Sequence, residues 1–202
     1  MNVLHIDTSI LGGNSVSRDL TSNIVTGLAA RHPAANITYR DLATSEIAHL
    51  SGEILGAAFV PEAEWNERQK RERALTDALI NEFLAADVVV IGAPMYNFSI
   101  PSQLKSWIDR ICAAGRTFKY TEQGPVGLAG GKTVIIASSR GGVYSNEAGR
   151  AMDFQEDYLR TVFGFVGIDN VNIIRAEAVN MGDDKRATAL AMAREAIAGL
   201  TV

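Results

Sequence analysis

A run of apolar residues near the middle of the chain constrains the fold more than any other feature. It reads Val88-Val89-Val90-Ile91, follows Asp87, and presents no polar side chain to either face of a strand. Continuous Val/Ile runs of this length are typical of a strand buried on both faces of a parallel sheet. Neighbouring parallel strands need long crossovers, usually helices, so the run predicts strands that alternate with helices.

The patterns before and after this run agree with such an alternation. Strands are predicted over residues 3–7, 37–42, 88–91, 133–138 and 172–176. Helices are predicted over 16–31, from 61 or 62 onward, and over 101–113, 149–163 and 184–198, with a glycine-rich turn over 124–131. Five strands that are each followed by a helix predict an α/β fold, with a doubly wound parallel sheet in the order 2-1-3-4-5 and helices on both faces.

Length and composition limit the kind of protein. The 202 residues suit one domain spanning residues 1–202, in which residues 43–61 are an excursion without clear periodicity. A net charge of −4 excludes the electrostatic footprint of a nucleic-acid or anionic-membrane binder. No apolar run is long enough to span a bilayer, and the N-terminus begins a strand rather than a signal peptide. The single cysteine, Cys112, excludes an intrachain disulfide, and we expect a cytoplasmic protein.

The predicted sheet order brings three loops together. In this order the switch point lies between strands one and three, and ligands bind at the carboxyl ends of the strands near that point. The loops after strands one, three and four therefore converge in one crevice. Each of these loops has an unusual composition.

The loop after the first strand is suited to an anion. It leads into the helix at Val16 and supplies hydroxyls from Ser9, Ser15 and Ser17. The first turn of a helix also leaves unpaired N–H groups that attract a phosphate. The alternative role is ordinary capping of the helix by Ser15. One geometry serves both roles, and we favour a phosphate site.

The other two loops are suited to a flat ring. Residues 94–98 can present the backbone N–H groups of residues 96–98 and the Asn97 amide to the edge of a planar heterocycle. The loop after the fourth strand adds Gly141 and Gly142, whose N–H groups can stabilise negative charge on such a ring. The alternative role of residues 94–98 is a rigid turn that places aromatic residues in the core. The alternative role of Gly141 and Gly142 is a simple turn.

A phosphate site beside a ring site describes flavin mononucleotide (FMN) well. The chain has neither GxxxxGK[ST] nor a GxGxxG after the first strand, which disfavours P-loop nucleotidases and Rossmann dinucleotide folds. A response-regulator receiver would carry an aspartate just after strand three, where Pro94-Met95-Tyr96 stands instead.

Three motifs of the chain form a recognisable set. They are Asp7-Thr8-Ser9 with Ser15-x-Ser17, Pro94-Met95-Tyr96-Asn97-Phe98-Ser99-Ile100-Pro101, and Ser139-Arg140-Gly141-Gly142. Together they resemble the FMN-dependent NADH:quinone oxidoreductase/azoreductase family over essentially the whole chain. The resemblance implies a flavodoxin-like fold, tight non-covalent FMN, and a homodimer with the FMN site near its interface. It places at the cofactor Ser9, Ser15, Val16, Ser17, Pro94, Met95, Tyr96, Asn97, Phe98, Ser139, Arg140, Gly141 and Gly142.

The resemblance assigns no certain catalytic side chain and no metal ligand. Phe98, Phe118 and Tyr120 resemble the aromatic walls of the family's substrate pocket, some of them reaching across the dimer. Tyr144 stands where some members carry histidine. A tyrosine can donate a hydrogen bond there, but it transfers a proton less readily near neutral pH.

The activity implied by the resemblance is a two-electron ping-pong reaction. NADH, favoured over NADPH, reduces the bound FMN, and a quinone or an azo compound then takes the electrons in the same apolar slot. One alternative is a flavodoxin-type electron-transfer protein without a small-molecule substrate, although such carriers are usually more acidic than a net charge of −4. Another is a flavin-sensing regulatory module, which only the shared fold supports.

Overall fold

Strands and helices alternate along residues 1–201, which are the residues that this computed structural model describes. The strands are β1 (Asn2–Asp7), β2 (Asn36–Asp41), β3 (Val88–Pro94), β4 (Phe118–Thr121), β5 (Gly124–Gly127), β6 (Thr133–Ser139) and β7 (Asn170–Ala176). The helices are α1 (Val16–Arg31), α2 (Gly52–Gly56), α3 (Glu67–Ala85), α4 (Ser102–Ile111), α5 (Glu147–Arg150), α6 (Glu156–Phe165) and α7 (Asp183–Ala198). Within this described part, no helix is both long and apolar enough to cross a membrane.

The main sheet is parallel and has the order β2-β1-β3-β6-β7. The predicted α/β fold with a five-stranded parallel sheet is confirmed. The predicted strands four and five correspond to β6 and β7, because two further strands precede them in the chain. The expected numbering 2-1-3-4-5 therefore becomes 2-1-3-6-7.

The apolar run in β3 faces two separate cores. Val88 and Val90 pack with α1 and α7 on one face of the sheet. Val89 and Ile91 pack with α3, α4 and α6 on the other face. Because successive side chains of a strand point to opposite faces, burial on both sides requires an apolar residue at every position.

The additional strands, β4 and β5, pair antiparallel in a hairpin outside the main sheet. The predicted glycine-rich turn over 124–131 is therefore wrong for residues 124–127. Its Gly-Pro-Val-Gly sequence has no apolar alternation that would signal a strand. Gly127 lies against the backbone that follows α6: a Cβ at Gly127 would be 2.1 Å from the Gly167 nitrogen.

The helix starts follow local capping signals. Helix α1 begins where predicted, because the Ser15 side chain accepts a hydrogen bond from the Arg18 N–H at 3.3 Å. Helix α3 begins at Glu67, so the prediction of a start at 61 or 62 is wrong. Asn66 and Gln69 form a capping box at the observed start, and a 3₁₀ turn occupies Glu62–Glu64.

The predicted helix over 149–163 is two helices, α5 and α6, separated by residues 151–155. Side chains in this interval bind groups far away in sequence. Gln155 Nε2, for example, donates to the Ala93 carbonyl at 2.9 Å. Such tertiary contacts outweigh the local preference for a continuous helix.

Residues 43–61, the predicted excursion, contain α2 and a 3₁₀ turn at Ala57–Phe59. Two contacts tie the excursion to α4. Arg110 Nη2 donates to the Ala48 carbonyl at 2.9 Å, and Ser106 Oγ lies 2.9 Å from His49 Nδ1. The excursion is thus fixed against the face of the sheet that α4 covers.

Candidate functional site

Three loops meet at the carboxyl edge of the main sheet. Loop A (residues 8–15) follows β1, loop B (residues 95–101) follows β3, and loop C (residues 140–146) follows β6. The Met95 N–H donates to the Ser139 carbonyl at 2.8 Å, which ties the start of loop B to the end of β6. Loops B and C therefore begin side by side, as the predicted topology requires.

Loop A contacts both β3 and loop B. Thr8 Oγ1 donates to the Gly92 carbonyl at 2.6 Å in the interior. The Tyr96 hydroxyl of loop B lies 3.3 Å from Ser9 Oγ and accepts from the Ile10 N–H at 3.3 Å. Loops A and B therefore share one wall of the crevice.

Buried serines surround the N-terminus of α1. Ser15 Oγ caps the helix and lies 3.1 Å from Ser17 Oγ. The Val16 side chain packs in the core, so this residue offers only its N–H at the helix start. First-turn N–H groups have no partner within a helix. Together with the hydroxyls they form a cradle of donors suited to a phosphate.

Arg18 supports loop A from behind. Its Nη2 atom donates to the Ser9 carbonyl at 2.8 Å and to Asp41 Oδ1 at 2.7 Å. The hydrogen bond from Arg18 holds the pKa of the Asp41 carboxyl below its ordinary value, against the opposing effect of burial. The guanidinium is thus already hydrogen-bonded to protein groups. The donors that loop A offers to an anion are therefore neutral.

Loop B contains a strained two-residue turn. Tyr96 and Ser99 are joined by two backbone hydrogen bonds of 3.0 and 3.1 Å. The central residues, Asn97 and Phe98, have φ values of 48° and 71°. This is the arrangement of a type I′ turn, which prefers Asn and Gly. A bulky residue such as phenylalanine in this region is strained, and such strain concentrates at binding sites.

The turn changes the set of donors that loop B offers to a ligand. The predicted donor at the Tyr96 N–H is wrong, because that group is bonded to the Ser99 carbonyl inside the turn. Within residues 1–201, the N–H groups of Asn97 and Phe98 have no acceptor, and both residues are exposed. Loop B therefore offers two backbone donors and the Asn97 amide.

Replacing Phe98 with glycine tests the strain in this turn. We expect Phe98→Gly to raise the free energy of unfolding by about 1 kcal/mol, because glycine adopts positive φ without a Cβ penalty. Calorimetry of the ligand-free protein should show a Tm higher by about 2–4 °C. Asn97→Gly is the matched control and should change the Tm less, since asparagine tolerates this region. An equal or lower Tm for Phe98→Gly would contradict the strain.

Loop C turns backbone toward the crevice and its charged side chain toward the interior. Arg140 is predicted to bind the ring, but its side chain is buried, with only 1% of the residue exposed. Only its backbone therefore lies near the crevice. The Gly141 and Gly142 N–H groups have no acceptor in the described residues 1–201. A Cβ at Gly141 would lie 2.9 Å from Asn180 Nδ2, so a larger residue would displace Asn180.

The Arg140 guanidinium is surrounded by three carboxylates. Its Nη2 lies 2.9 Å from Asp153 Oδ2 and also pairs with Glu156, while Nη1 donates to Glu177 Oε1 at 3.1 Å. Glu177 also accepts from the Tyr144 N–H at 3.0 Å. Burial alone would raise the pKa of Glu177, but hydrogen bonds to its carboxylate and the Arg140 charge hold that pKa below its ordinary value.

The predicted aromatic pocket residues fall into two groups. Phe98 and Tyr144 contact one another across loops B and C, with ring centroids 6.3 Å apart. Phe118 is buried in the hairpin against Phe165, at 4.6 Å between centroids, and Tyr120 is 74% exposed. Within residues 1–201, no hydrogen bond or ring contact joins Phe118 or Tyr120 to loops A, B or C.

Several side chains behind the loops were not identified from the sequence. They are Asp153, Gln155, Glu156 and Glu177, which contact loop C or the ends of β3 and β6. None belongs to a motif with fixed spacing, and they come from two segments outside the loops, one just after loop C and one after β7. Only the folded chain brings them together.

Comparisons with known proteins agree with this architecture. The Flavodoxin_2 family, which has a flavodoxin-like fold, matches residues 1–200. A protein of Chromobacterium violaceum named FMN-dependent NADH:quinone oxidoreductase is 60% identical over 202 residues, 100% of this chain and 100% of that one. A protein of Laribacter hongkongensis with the same name is 61% identical over 201 residues, 99% of this chain and 100% of that one.

Solved structures are similar over nearly the whole chain. The azoreductase from Bacillus anthracis str. Sterne is 30% identical, with a TM-score of 0.90, over 98% of this chain and 97% of that one. An FMN-dependent NADH-azoreductase from Bacillus anthracis str. Ames Ancestor, in complex with FMN, is 25% identical, with a TM-score of 0.88, over 98% of both chains.

Proposed function

We propose that this chain, which belongs to the Flavodoxin_2 family of proteins with a flavodoxin-like fold, is an FMN-dependent NADH:quinone oxidoreductase that also cleaves azo compounds. The continuity of the crevice carries this conclusion. Ser9 and Tyr96 join loops A and B, and Phe98 and Tyr144 join loops B and C. A cradle for a phosphate and a rim for a flat ring therefore form one site, and FMN has both parts.

Loop A fits the phosphate of FMN. The hydroxyls of Ser9, Ser15 and Ser17 and the first-turn N–H groups of α1 supply donors on one side of the crevice. Hydrogen bonds to a charged acceptor contribute about 1.5–3 kcal/mol each, so a few of them hold a phosphate without a lysine.

Loops B and C fit the isoalloxazine ring. Within residues 1–201 the N–H groups of Asn97, Phe98, Gly141 and Gly142 have no acceptor, and they suit its polar edge. When bound, FMN would supply two-electron chemistry: each NADH hydride, with one proton from solvent, would reduce one quinone to its hydroquinone, and two such rounds would cleave an azo bond to two amines. The Phe98 and Tyr144 rings are only partly buried and can flank a planar substrate, and the Tyr144 hydroxyl can donate a hydrogen bond to it.

The proposed reaction is ping-pong. Because the nicotinamide and the electron acceptor are both planar, one aromatic-lined slot can admit them in turn. NADH is the expected donor, since the relatives reported above are named for it. Those names also favour an enzyme over a flavodoxin-type electron carrier.

We further propose a cytoplasmic homodimer in which residues 1–202 form one FMN-binding domain. Phe59 is 80% exposed and Tyr120 is 74% exposed, so both aromatic side chains are accessible to a second subunit. Within residues 1–201, no hydrogen bond or ring contact joins Tyr120 to loops A, B or C, whereas the resemblance places it in the substrate pocket. Both observations agree if Tyr120 contacts the crevice of a second subunit.

Ser17→Ala tests the phosphate cradle. We expect the dissociation constant of FMN to rise by about 10- to 100-fold, because one hydrogen bond to the phosphate is lost. Fluorescence titration of the FMN-free protein measures this constant, and riboflavin, which lacks the phosphate, should bind the two proteins equally. Ser22→Ala, an exposed position on the same helix, is the control. Equal loss of FMN and riboflavin binding would contradict a phosphate contact.

Reconstitution and turnover test the function as a whole. The purified protein should bind FMN, and anaerobic NADH should bleach the flavin absorbance. Repeated oxidation of NADH should follow when a benzoquinone or methyl red is added. Bleaching without repeated turnover of any small acceptor would favour the electron carrier. Failure to bind FMN would overturn the proposal.

A further inference from the structure

A short segment with one buried residue, Gln155, lies behind the two loops assigned to the flavin ring. Residues 151–155 separate α5 from α6 and run beside loop B. The Phe154 N–H donates to the Phe98 carbonyl at 3.0 Å, and the Phe154 carbonyl accepts from Ser99 Oγ at 3.4 Å. The segment is thus attached to the strained turn through backbone groups.

Gln155 connects the end of β3 to the end of β6. Its side chain is completely buried. Gln155 Nε2 donates to the Ala93 carbonyl at 2.9 Å, and Gln155 Oε1 accepts from Ser138 Oγ at 3.1 Å. Ala93 and Ser138 are register partners immediately before the last pair of β3 and β6. One amide therefore satisfies a polar group on each strand just before loops B and C begin.

The contacts of Gln155 close into a ring that includes loop C. Arg140 Nε donates to Ser138 Oγ at 3.1 Å, and Arg140 pairs with Asp153 at 2.9 Å. Asp153 in turn accepts from the Gln155 N–H at 2.9 Å. The ring Gln155–Ser138–Arg140–Asp153 thus runs through the end of β6 and the first residue of loop C, and Gln155 links it to the end of β3 at Ala93.

We propose that Gln155 is a positioning residue that sets the separation of loops B and C, and thereby the fit of their N–H donors to the FMN ring. The identity of that ring rests on the proposed function. An amide suits this role because it donates and accepts at the same time. An apolar side chain of similar size would leave the Ala93 carbonyl and the Ser138 hydroxyl without their partner in the interior.

Two substitutions separate hydrogen bonding from packing. Gln155→Leu removes both side-chain hydrogen bonds at similar volume. Gln155→Glu keeps the shape, and its ability to donate to the Ala93 carbonyl depends on protonation of the carboxyl. Gln123→Leu, at an exposed position of the hairpin, is the matched control.

The measurements combine the FMN-free and FMN-bound protein. Hydrogen exchange of the hydrogen-bonded Met95, Tyr96, Ser99 and Arg140 amides is compared without FMN, and the FMN dissociation constant and the flavin absorption spectrum are measured after reconstitution. In Gln155→Leu, the hydrogens of these amides should exchange faster and the flavin absorption spectrum should shift. The dissociation constant of FMN should rise about tenfold or more. At about pH 5, Gln155→Glu should resemble the parent. At about pH 8, the same variant should resemble Gln155→Leu. Gln123→Leu should match the parent throughout.

Each remaining outcome overturns a definite statement. If Gln155→Leu keeps the exchange rates, spectrum and FMN affinity of the parent, Gln155 does not position the loops. Parent-like exchange rates, spectrum and FMN affinity of Gln155→Glu at both pH values would reduce its role to packing, with the same consequence. If the parent protein itself binds no FMN, the proposed function fails, whereas unchanged exchange in Gln155→Leu refutes the positioning role independently of FMN.

Discussion

Arg140→Met should lower the free energy of unfolding by about 3–5 kcal/mol near neutral pH, because it leaves the largely buried Asp153 and Glu177 carboxylates without their cation, whereas Glu156 keeps Arg175. Arg140 is the common partner of Asp153, Glu156 and Glu177, and its side chain is almost inaccessible to water. Urea unfolding of the FMN-free protein measures the change. Arg194→Met is the control: Arg194 pairs with Asp19 at the surface, and its loss should cost about 0–1 kcal/mol.

The effect of Arg140→Met should depend on pH in one direction. The pKa of Glu177 is lowered in the folded protein, so its ionised form contributes stability above the unfolded-state pKa, near 4.5. That contribution is lost as pH falls through the lower folded-state pKa. The difference between parent and variant should therefore shrink below about pH 4.5. A difference that stays constant down to that range, or one no larger than for Arg194→Met, would contradict the ion-pair account.

Gly127→Ala should be the second most damaging substitution, with a cost of about 3 kcal/mol in unfolding free energy. A Cβ at Gly127 would lie 2.1 Å from the Gly167 nitrogen and 2.2 Å from the Val166 carbonyl carbon. These are backbone atoms, so no side-chain rotation relieves the clash and the β4–β5 hairpin must move. Quinone reduction should also slow, because the hairpin carries Tyr120. FMN affinity should change little, since loops A, B and C do not include the hairpin.

Gly164→Ala is the matched control for Gly127→Ala. Gly164 lies inside α6, next to the contact with the hairpin, and a Cβ there would meet no atom within 4 Å. Alanine is the better helix former, so this variant should be more stable by about 0.5–1 kcal/mol. The two alanine variants should thus move the urea midpoint in opposite directions. A Gly127→Ala protein as stable as the parent would show that the hairpin packs differently from this account.

The elements that could be predicted from the sequence are those with local signals. The apolar run in β3 is buried on both faces, and such burial leaves a continuous pattern that needs no knowledge of partners. Helix α1 has its own cap at Ser15 and begins where the pattern predicts. The capping box of Asn66 and Gln69 is a local signal for the start of α3, and it specifies that start better than the residues at 61 and 62 do.

The elements that could not be predicted depend on distant residues. The break between α5 and α6 has a local contributor, because Asp153 accepts from the Gln155 and Glu156 N–H groups, but no residue near 155 in sequence specifies the bond from Gln155 to Ala93. The loop motifs predicted a crevice, because glycine, proline and serine restrict the backbone locally. The same motifs did not reveal that the Tyr96 N–H is consumed by the turn or that the Arg140 side chain points inward. Those facts depend on the three-dimensional course of loops B and C.

The polar ring around Gln155 also bears on the order in which the molecule assembles. The hydrogen bond from Gln155 to Ala93 joins groups 62 positions apart, and closing so long a loop costs entropy before the contact is gained. Contacts within α1 are local and can form early. The crevice is complete only after β3, β6 and α6 have docked, so the cofactor has nowhere to bind until folding is nearly finished. Loading of FMN then draws the chain toward its completed state by mass action, which couples cofactor supply to the amount of folded protein.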